Sequence, residues 1–147
     1  MSNFESLGLS EKLLRAINLE GYTHPTPVQA LGIPLLLDGK DLLGVAQTGT
    51  GKTAAFALPI LQKLLQKNTR KKRHISALIL SPTRELAAKI DQRFYVYSQF
   101  IEIRHKVIFG GVSQKPQVQS LRRGVDVLVA TPGRLLDLMQ QGHVDLN

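Results

Sequence analysis

The stretch Ala46-Gln47-Thr48-Gly49-Thr50-Gly51-Lys52-Thr53 decides how this chain is read. A small residue opens it, four positions follow, and Gly-Lys with a hydroxyl residue closes it, which is the pattern of a phosphate-binding loop. The small residue and the glycine let the backbone curl until successive N–H groups point inward at phosphate oxygens. Lys52 then reaches the β- and γ-phosphates, and the Thr53 hydroxyl ligates Mg2+. The flanks fit. Residues 41–45 carry Leu42, Leu43 and Val45, which suits a buried strand. Residues 52–66 carry Ala54, Ala55, Phe56, Leu58, Ile60, Leu61, Leu64 and Leu65, which suits a helix packed on a sheet. Strand, glycine turn and helix is the setting such a loop requires, because the helix N-terminus adds partial positive charge. The bland alternative is a Gly-Thr-rich turn with an incidental lysine. With ordinary residue usage the pattern arises by chance on the order of once in a hundred chains of this length, which makes that alternative the weaker one.

Composition sets the outer bounds. A chain of 147 residues is long enough for one domain with a real core, and 43% hydrophobic residues make it globular. No apolar run approaches the roughly 18 to 20 residues of a membrane span. Met1-Ser2-Asn3-Phe4-Glu5 lacks the basic start of a secretory signal. The absence of cysteine excludes disulfides and thiolate metal sites and fits a reducing compartment, so a cytoplasmic location is expected. A net charge of +8 favours a polyanionic partner, most simply nucleic acid. A merely soluble basic protein is the other reading of that charge.

Working outward from the loop, helix and strand patterns alternate. Ser10 can cap a helix whose Leu13, Leu14 and Ile17 share one face and which ends at Gly21. Thr26 followed by Pro27 reads as an N-cap and first helical position, placing Gln29 in the first turn of a helix that runs to about Leu37. Pro34 and Gly32 disturb that helix. The basic run Arg70-Lys71-Lys72-Arg73 reads first as a solvated loop and second as a nucleic-acid contact. Strands are expected at residues 75–80, 105–109 and 125–130, with helices from Pro82 to about Phe100, from Ser113 to Leu121 and from Thr131 to near Gly142. Four strand–helix repeats argue for an α/β fold, a parallel sheet with helices on both faces. Ligands bind such sheets beyond the carboxyl ends of the strands. Residues 47–53, 82–85, 110–111 and 131–134 all follow predicted strands, and three of these segments supply helix N-termini that attract phosphate.

Taken together these residues resemble the DEAD-box ATP-dependent RNA helicases, with the closest wording in the bacterial, RhlE-like group. Gly21 to Gln29 resembles that family's Q motif, with Phe4 at its upstream aromatic position. Ala46 to Thr53 resembles motif I, Pro82 to Ala87 motif Ia, Gly110-Gly111 the GG motif, and Thr131-Pro132-Gly133-Arg134 motif Ib. The resemblance implies a RecA-like P-loop NTPase fold. Residues 1–38 would form the Q-motif region with its helices, and residues 39–147 part of the ATP-binding domain. It implies ATP and Mg2+ as cofactors. Gln29 would read adenine through its amide, Tyr22 or Phe4 would wall the base, and residues Ala46, Gln47, Thr48, Gly49, Thr50, Gly51, Lys52 and Thr53 would hold the phosphates and metal. Both aromatics could equally be core residues. RNA would be held by its backbone, without base reading, at Pro82, Thr83, Arg84, Gly110, Gly111, Thr131, Pro132, Gly133 and Arg134. For Glu85, whose charge repels phosphate, a helix-capping role is the better reading.

The family pattern continues with an Asp-Glu-Ala-Asp strand, a Ser-Ala-Thr motif and a second RecA-like lobe, none of which occurs in these 147 residues. Asp38 precedes the phosphate loop, Asp126 sits at the start of its strand, and Asp145 has too short an apolar lead to replace the missing acid. The resemblance therefore implies an N-terminal lobe cut before the Asp-Glu-Ala-Asp motif, whose sheet lacks its central strands. Such a lobe should be marginally stable or prone to associate, and catalytically silent alone. Two rivals remain open: a shortened, non-catalytic RNA- or nucleotide-binding module, and another P-loop ATPase such as a DNA helicase. The Gln29 segment weighs against the latter.

Overall fold

The computed structural model describes residues 3–47, 51–67 and 74–147. It divides into two compact units, one of residues 1–68 with 96–102 and one of residues 69–95 with 103–147. These units follow packing and cut across the motif-based division at residue 38.

The first unit is helical. A short 3-10 helix, Phe4–Leu7, is capped by Asn3, whose Oδ1 accepts the Ser6 N–H at 2.9 Å. Helix α1 (Glu11–Leu19) buries Leu13, Ala16 and Ile17, the i, i+3, i+4 stripe expected of an amphipathic helix. Helix α2 (Pro27–Leu37) starts with proline at its first turn, where the missing N–H costs nothing. It continues through Pro34. Helix α3 (Lys52–Gln66) has the bounds its apolar run predicts. It buries Ala54, Ala55, Ala57, Leu58 and Leu61, and α2 packs along it. A Cβ on Gly32 would stand 3.0 Å from Leu42 Cδ2, so the glycine accommodates the chain that follows α2. Segment 96–102 adds buried Tyr97 and the Phe100 ring, over which the Arg15 guanidinium lies at 4.3 Å.

The second unit holds a three-stranded parallel sheet in the order β1-β3-β2, formed by β1 (Ala77–Leu80), β2 (His105–Ile108) and β3 (Val127–Ala130). Ala77 and His105 both pair with Val127, and Leu80 and Ile108 both pair with Ala130, so the strands end in register. Central β3 is buried along its length, as Val-Leu-Val-Ala should be between two neighbours. Helices α4 (Arg84–Tyr97), α5 (Lys115–Arg123) and α6 (Pro132–Gln140) flank the sheet; the last two residues of α4 belong to the first unit. Leu128 and Ala130 of β3 and Ile108 of β2 pack with Val118 of α5 and Leu135 and Leu138 of α6 in one core.

One expected element is absent. Residues 41–45 form no strand, and Leu43 and Val45 are 92% and 91% exposed. A strand exists only where a neighbour completes its hydrogen bonds, and among the described residues none pairs with this segment. The sheet therefore has three described strands where the sequence pattern suggested four.

Candidate functional site

In the first unit the phosphate loop meets the segment that precedes α2. Gly51 caps α3 with φ +80°, a conformation open to glycine at little cost. A Cβ there would collide with the Gln29 amide. Gln29 is 3% exposed, and its amide is held at both ends. Its Oε1 accepts the Thr26 N–H at 3.0 Å and its Nε2 donates to the Gly51 carbonyl at 3.1 Å. An amide carries two N–H donors and two acceptor lone pairs. The chain uses one of each and fixes which end is oxygen. One donor and one acceptor remain, the complement of the adenine N7 and N6 edge.

Lys52 is exposed at the first position of α3, its Nζ donating to the Ala46 carbonyl at 2.6 Å. That is where an incoming phosphate would compete for the ammonium. Thr53 is half-buried in the first turn, its hydroxyl without a hydrogen bond among the described residues. A lone hydroxyl oxygen at a helix N-terminus fits Mg2+ carried in on phosphate, because that ion keeps several waters and few protein ligands. Among the described residues no group of three or more acidic, histidine or cysteine side chains could hold a metal without the nucleotide. Thr48, Gly49 and Thr50 lie outside the described residues, and so do the basic residues 70–73.

The two aromatics separate. Phe4 is 2% exposed and stacks on Tyr22 with ring centroids 6.3 Å apart, so it belongs to the core and backs Tyr22. Of the two readings the sequence left open for Phe4, base wall or core residue, this burial favours the second. Tyr22 is half-buried, with its hydroxyl 2.9 Å from the Tyr97 hydroxyl and the two rings edge-on at 6.1 Å. Tyr97 carries no sequence signal that links it to this site.

In the second unit the three parallel strands deliver their C-terminal ends to one edge of the sheet. Pro82 and Thr83 follow β1, Phe109 to Gly111 follow β2, and Thr131 to Arg134 follow β3. Pro82, Thr83, Arg84, Gly111, Pro132 and Gly133 are exposed. The Thr83 Oγ1 accepts the Leu86 N–H at 3.2 Å and so caps α4. Its O–H remains a donor. The Thr131 hydroxyl makes no cap bond to α6. Arg84 lies beside the glycine pair: a Cβ on Gly111, whose φ is +80°, would stand 3.1 Å from Arg84 Nη1. Glu85 sits in the first turn of α4 and 3.8 Å from Arg84 Nε, an exposed pair of the kind that contributes little.

Arg134 is placed differently from Arg84. Its Nη1 donates to Gln117 Oε1 at 3.0 Å and its Nη2 to the Val112 carbonyl at 2.9 Å. Gln117 Nε2 donates in turn to the Phe109 carbonyl at 3.1 Å. Gln114 and Gln141 exchange amide hydrogen bonds of 2.8 and 3.1 Å between the start of α5 and the end of α6. Nothing in the spacing of these glutamines marks them in the sequence. Asp126 accepts the Arg104 N–H at 2.9 Å at the opposite end of the strands, which places it away from these loops.

Comparison with known proteins matches residues 26–147 to the family described as DEAD/DEAH box helicase. The chain is 48% identical over 97% of its length to a probable ATP-dependent RNA helicase ddx27 of Dictyostelium discoideum, covering 18% of that protein. It is 44% identical over 100% of its length to the ATP-dependent RNA helicase CshA of Listeria monocytogenes, covering 28%. It is 48% identical over 94% of its length to the ATP-dependent rRNA helicase RRP3 of Ajellomyces capsulatus, covering 28%. The chain thus spans less than a third of these relatives. Similar identity to proteins of three such different sources carries the family and not the narrower RhlE-like placement.

Proposed function

The chain belongs to the DEAD/DEAH box helicase family, and on that premise we propose that it is the N-terminal lobe of an ATP-dependent RNA helicase, binding ATP with Mg2+ in its first unit and the RNA backbone in its second. The observation that carries the reading is the Gln29 amide, buried, oriented and bonded to the phosphate loop at Gly51. It pairs a reader of the adenine edge with the residues that hold phosphate. Tyr22 supplies a half-buried ring for the base, and Lys52 exchanges the Ala46 carbonyl for phosphate oxygens. Thr53 would give Mg2+ one oxygen, and the ion, when bound, would neutralise phosphate charge.

RNA contacts come from Thr83 and Thr131 hydroxyls, the N–H groups of Gly110 and Gly111, and Arg84. These groups grip phosphate and sugar and carry no base code, so binding is largely independent of sequence. The whole protein would separate short duplexes by ATP-driven closure on a second lobe, in the cytoplasm. Among the described residues no helix is long and apolar enough to cross a membrane. Among the described residues no acid is placed to bind the metal, so the 147 residues alone should bind nucleotide without turning it over.

The test is a titration of the 147-residue chain and of the full-length protein with fluorescent ATP and GTP, beside an ATPase assay. The reading expects a preference for ATP in both and RNA-stimulated turnover only in the full-length protein. Equal binding of ATP and GTP would remove Gln29 as the base reader. Turnover by the 147 residues would show that the assigned chemistry is wrong.

A further inference from the structure

The two glycines after β2 are bracketed by side chains. The Phe109 carbonyl, just before Gly110, accepts from Gln117 Nε2 at 3.1 Å. The Val112 carbonyl, just after Gly111, accepts from Arg134 Nη2 at 2.9 Å. Gln117 Oε1 and Arg134 Nη1 close the ring at 3.0 Å. A glycine pair has little conformational preference of its own, and Gly111 stands at φ +80°. What fixes its shape is therefore this clasp between α5 and α6, whose ends are further tied by the Gln114–Gln141 pair. The sequence pattern offered Arg134 as a charge for phosphate. In the structure both terminal nitrogens of its guanidinium, the fork that grips a phosphate bidentately, already donate to the chain. Arg84, by contrast, lies beside Gly111 in an exposed position, paired weakly with Glu85 and with its guanidinium 5.7 Å from the Phe109 ring centroid. Among the described residues its fork has no hydrogen-bonded acceptor of the kind that holds Arg134.

We propose that Gln117 and Arg134 are positioning residues that clamp the Gly110-Gly111 loop in the shape that receives a phosphodiester, and that Arg134 is not itself a phosphate ligand. This rests on the RNA-binding reading given above. Salt dependence separates the two roles. Each phosphate neutralised on a single strand adds roughly 0.7 to the slope of log affinity against log salt concentration. A residue that only shapes the loop changes affinity and leaves that slope alone.

The experiment measures binding of a fluorescein-labelled oligouridylate to the full-length protein at several KCl concentrations, with a non-hydrolysable ATP analogue present. Gln117→Ala and Arg134→Ala should each weaken binding by about tenfold, consistent with the loss of one or two hydrogen bonds. The double variant should be no weaker than either single one, because the pair acts as a unit. Neither should change the salt slope, whereas Arg84→Ala should lower it. A slope lowered by Arg134→Ala and unchanged by Gln117→Ala would overturn the proposal, as would additive losses or no loss from Gln117→Ala. Amide exchange at Gly110 and Gly111, recorded without RNA, reads the clasp independently and should quicken in both variants. If the wild-type protein bound no RNA, the functional reading would fall while the exchange data still decided the clasp. Unchanged exchange would remove the clasp whatever RNA does. Arg134→Lys, which keeps the charge and at most one of the two bonds, should resemble Arg134→Ala in affinity; full binding by this variant would count against positioning.

Discussion

Gln29 Nε2 donates to the Gly51 carbonyl at 3.1 Å, so the buried amide in the first turn of α2 holds the glycine that caps α3. Its other end accepts the Thr26 N–H. Replacing Gln29 by alanine strands both backbone groups, and a buried group left unpaired costs about 1–3 kcal/mol. Gln29→Ala should therefore lower the unfolding free energy of the full-length protein by about that amount in urea titrations. It should also weaken ATP binding by about tenfold or more, the equivalent of one lost hydrogen bond of good geometry. GTP binding should change less, bringing the two affinities together. A variant that kept its preference for ATP would show that the base is read elsewhere.

Gly51 is the other half of the same contact. A side chain here meets two penalties, a left-handed backbone that disfavours L-residues by about 1–2 kcal/mol and a collision with the Gln29 amide. Gly51→Ala should thus cost nucleotide affinity even though no functional group is lost. Calorimetric titration with ATP checks this. Combining it with Gln29→Ala relieves the collision, so the loss in the double variant should be smaller than the two single losses combined.

These two residues also show what the sequence carries and what it does not. The bounds of α3 follow from its apolar run and the glycine before it, and α2 follows from Thr26-Pro27, because caps and periodicity are local properties. Residues 41–45 mislead because strand formation depends on a partner segment that local pattern cannot supply. Phe4 is ambiguous in the sequence because an aromatic serves a core or a base equally well, and its burial is not a local property of the sequence. Gln117, Gln114, Gln141 and Tyr97 leave no local signal at all, since a polar side chain's partner lies wherever the fold brings one.

Arg84 is the side chain proposed above for direct phosphate contact at the strand ends. Its exposed pairing with Glu85 at 3.8 Å is too weak to hold it back from RNA. Arg84→Ala should reduce the salt slope of RNA binding by roughly 0.7, with the same factor for any base sequence. Anisotropy titrations with oligouridylate and oligoadenylate at three salt concentrations check both statements. Glu85→Gln removes a like-charged neighbour of the phosphates and should strengthen binding modestly.

The hydroxyl pair of Tyr22 and Tyr97 fixes the ring assigned to the base. Tyr97 is 1% exposed, and its hydroxyl lies 2.9 Å from that of Tyr22. Tyr97→Phe removes a hydrogen bond without removing the ring and should cost about 1 kcal/mol of stability. Tyr22→Phe should cost more, because it leaves the buried Tyr97 hydroxyl without that bond. In the full-length enzyme Tyr97→Phe should raise KM for ATP and leave kcat near its original value, since the altered group orients the base and does not touch the phosphates. An unchanged KM would mean that the Tyr97 hydroxyl does not set the Tyr22 ring.

The segment after α2 gives the last expectation, in the 147-residue chain itself. Leu43 and Val45, at 92% and 91% exposure, present an apolar stretch that pairs with no strand among the described residues. Such an edge is a template for pairing with another chain. Leu43→Lys with Val45→Thr removes the apolar surface and adds a charge that opposes pairing. Because little surface is buried there, the unfolding free energy should stay within about 0.5 kcal/mol of the original. Light scattering at raised concentration should fall. A loss of about 2 kcal/mol or more would require these two side chains to be buried in solution, and with them the strand that residues 41–45 suggest.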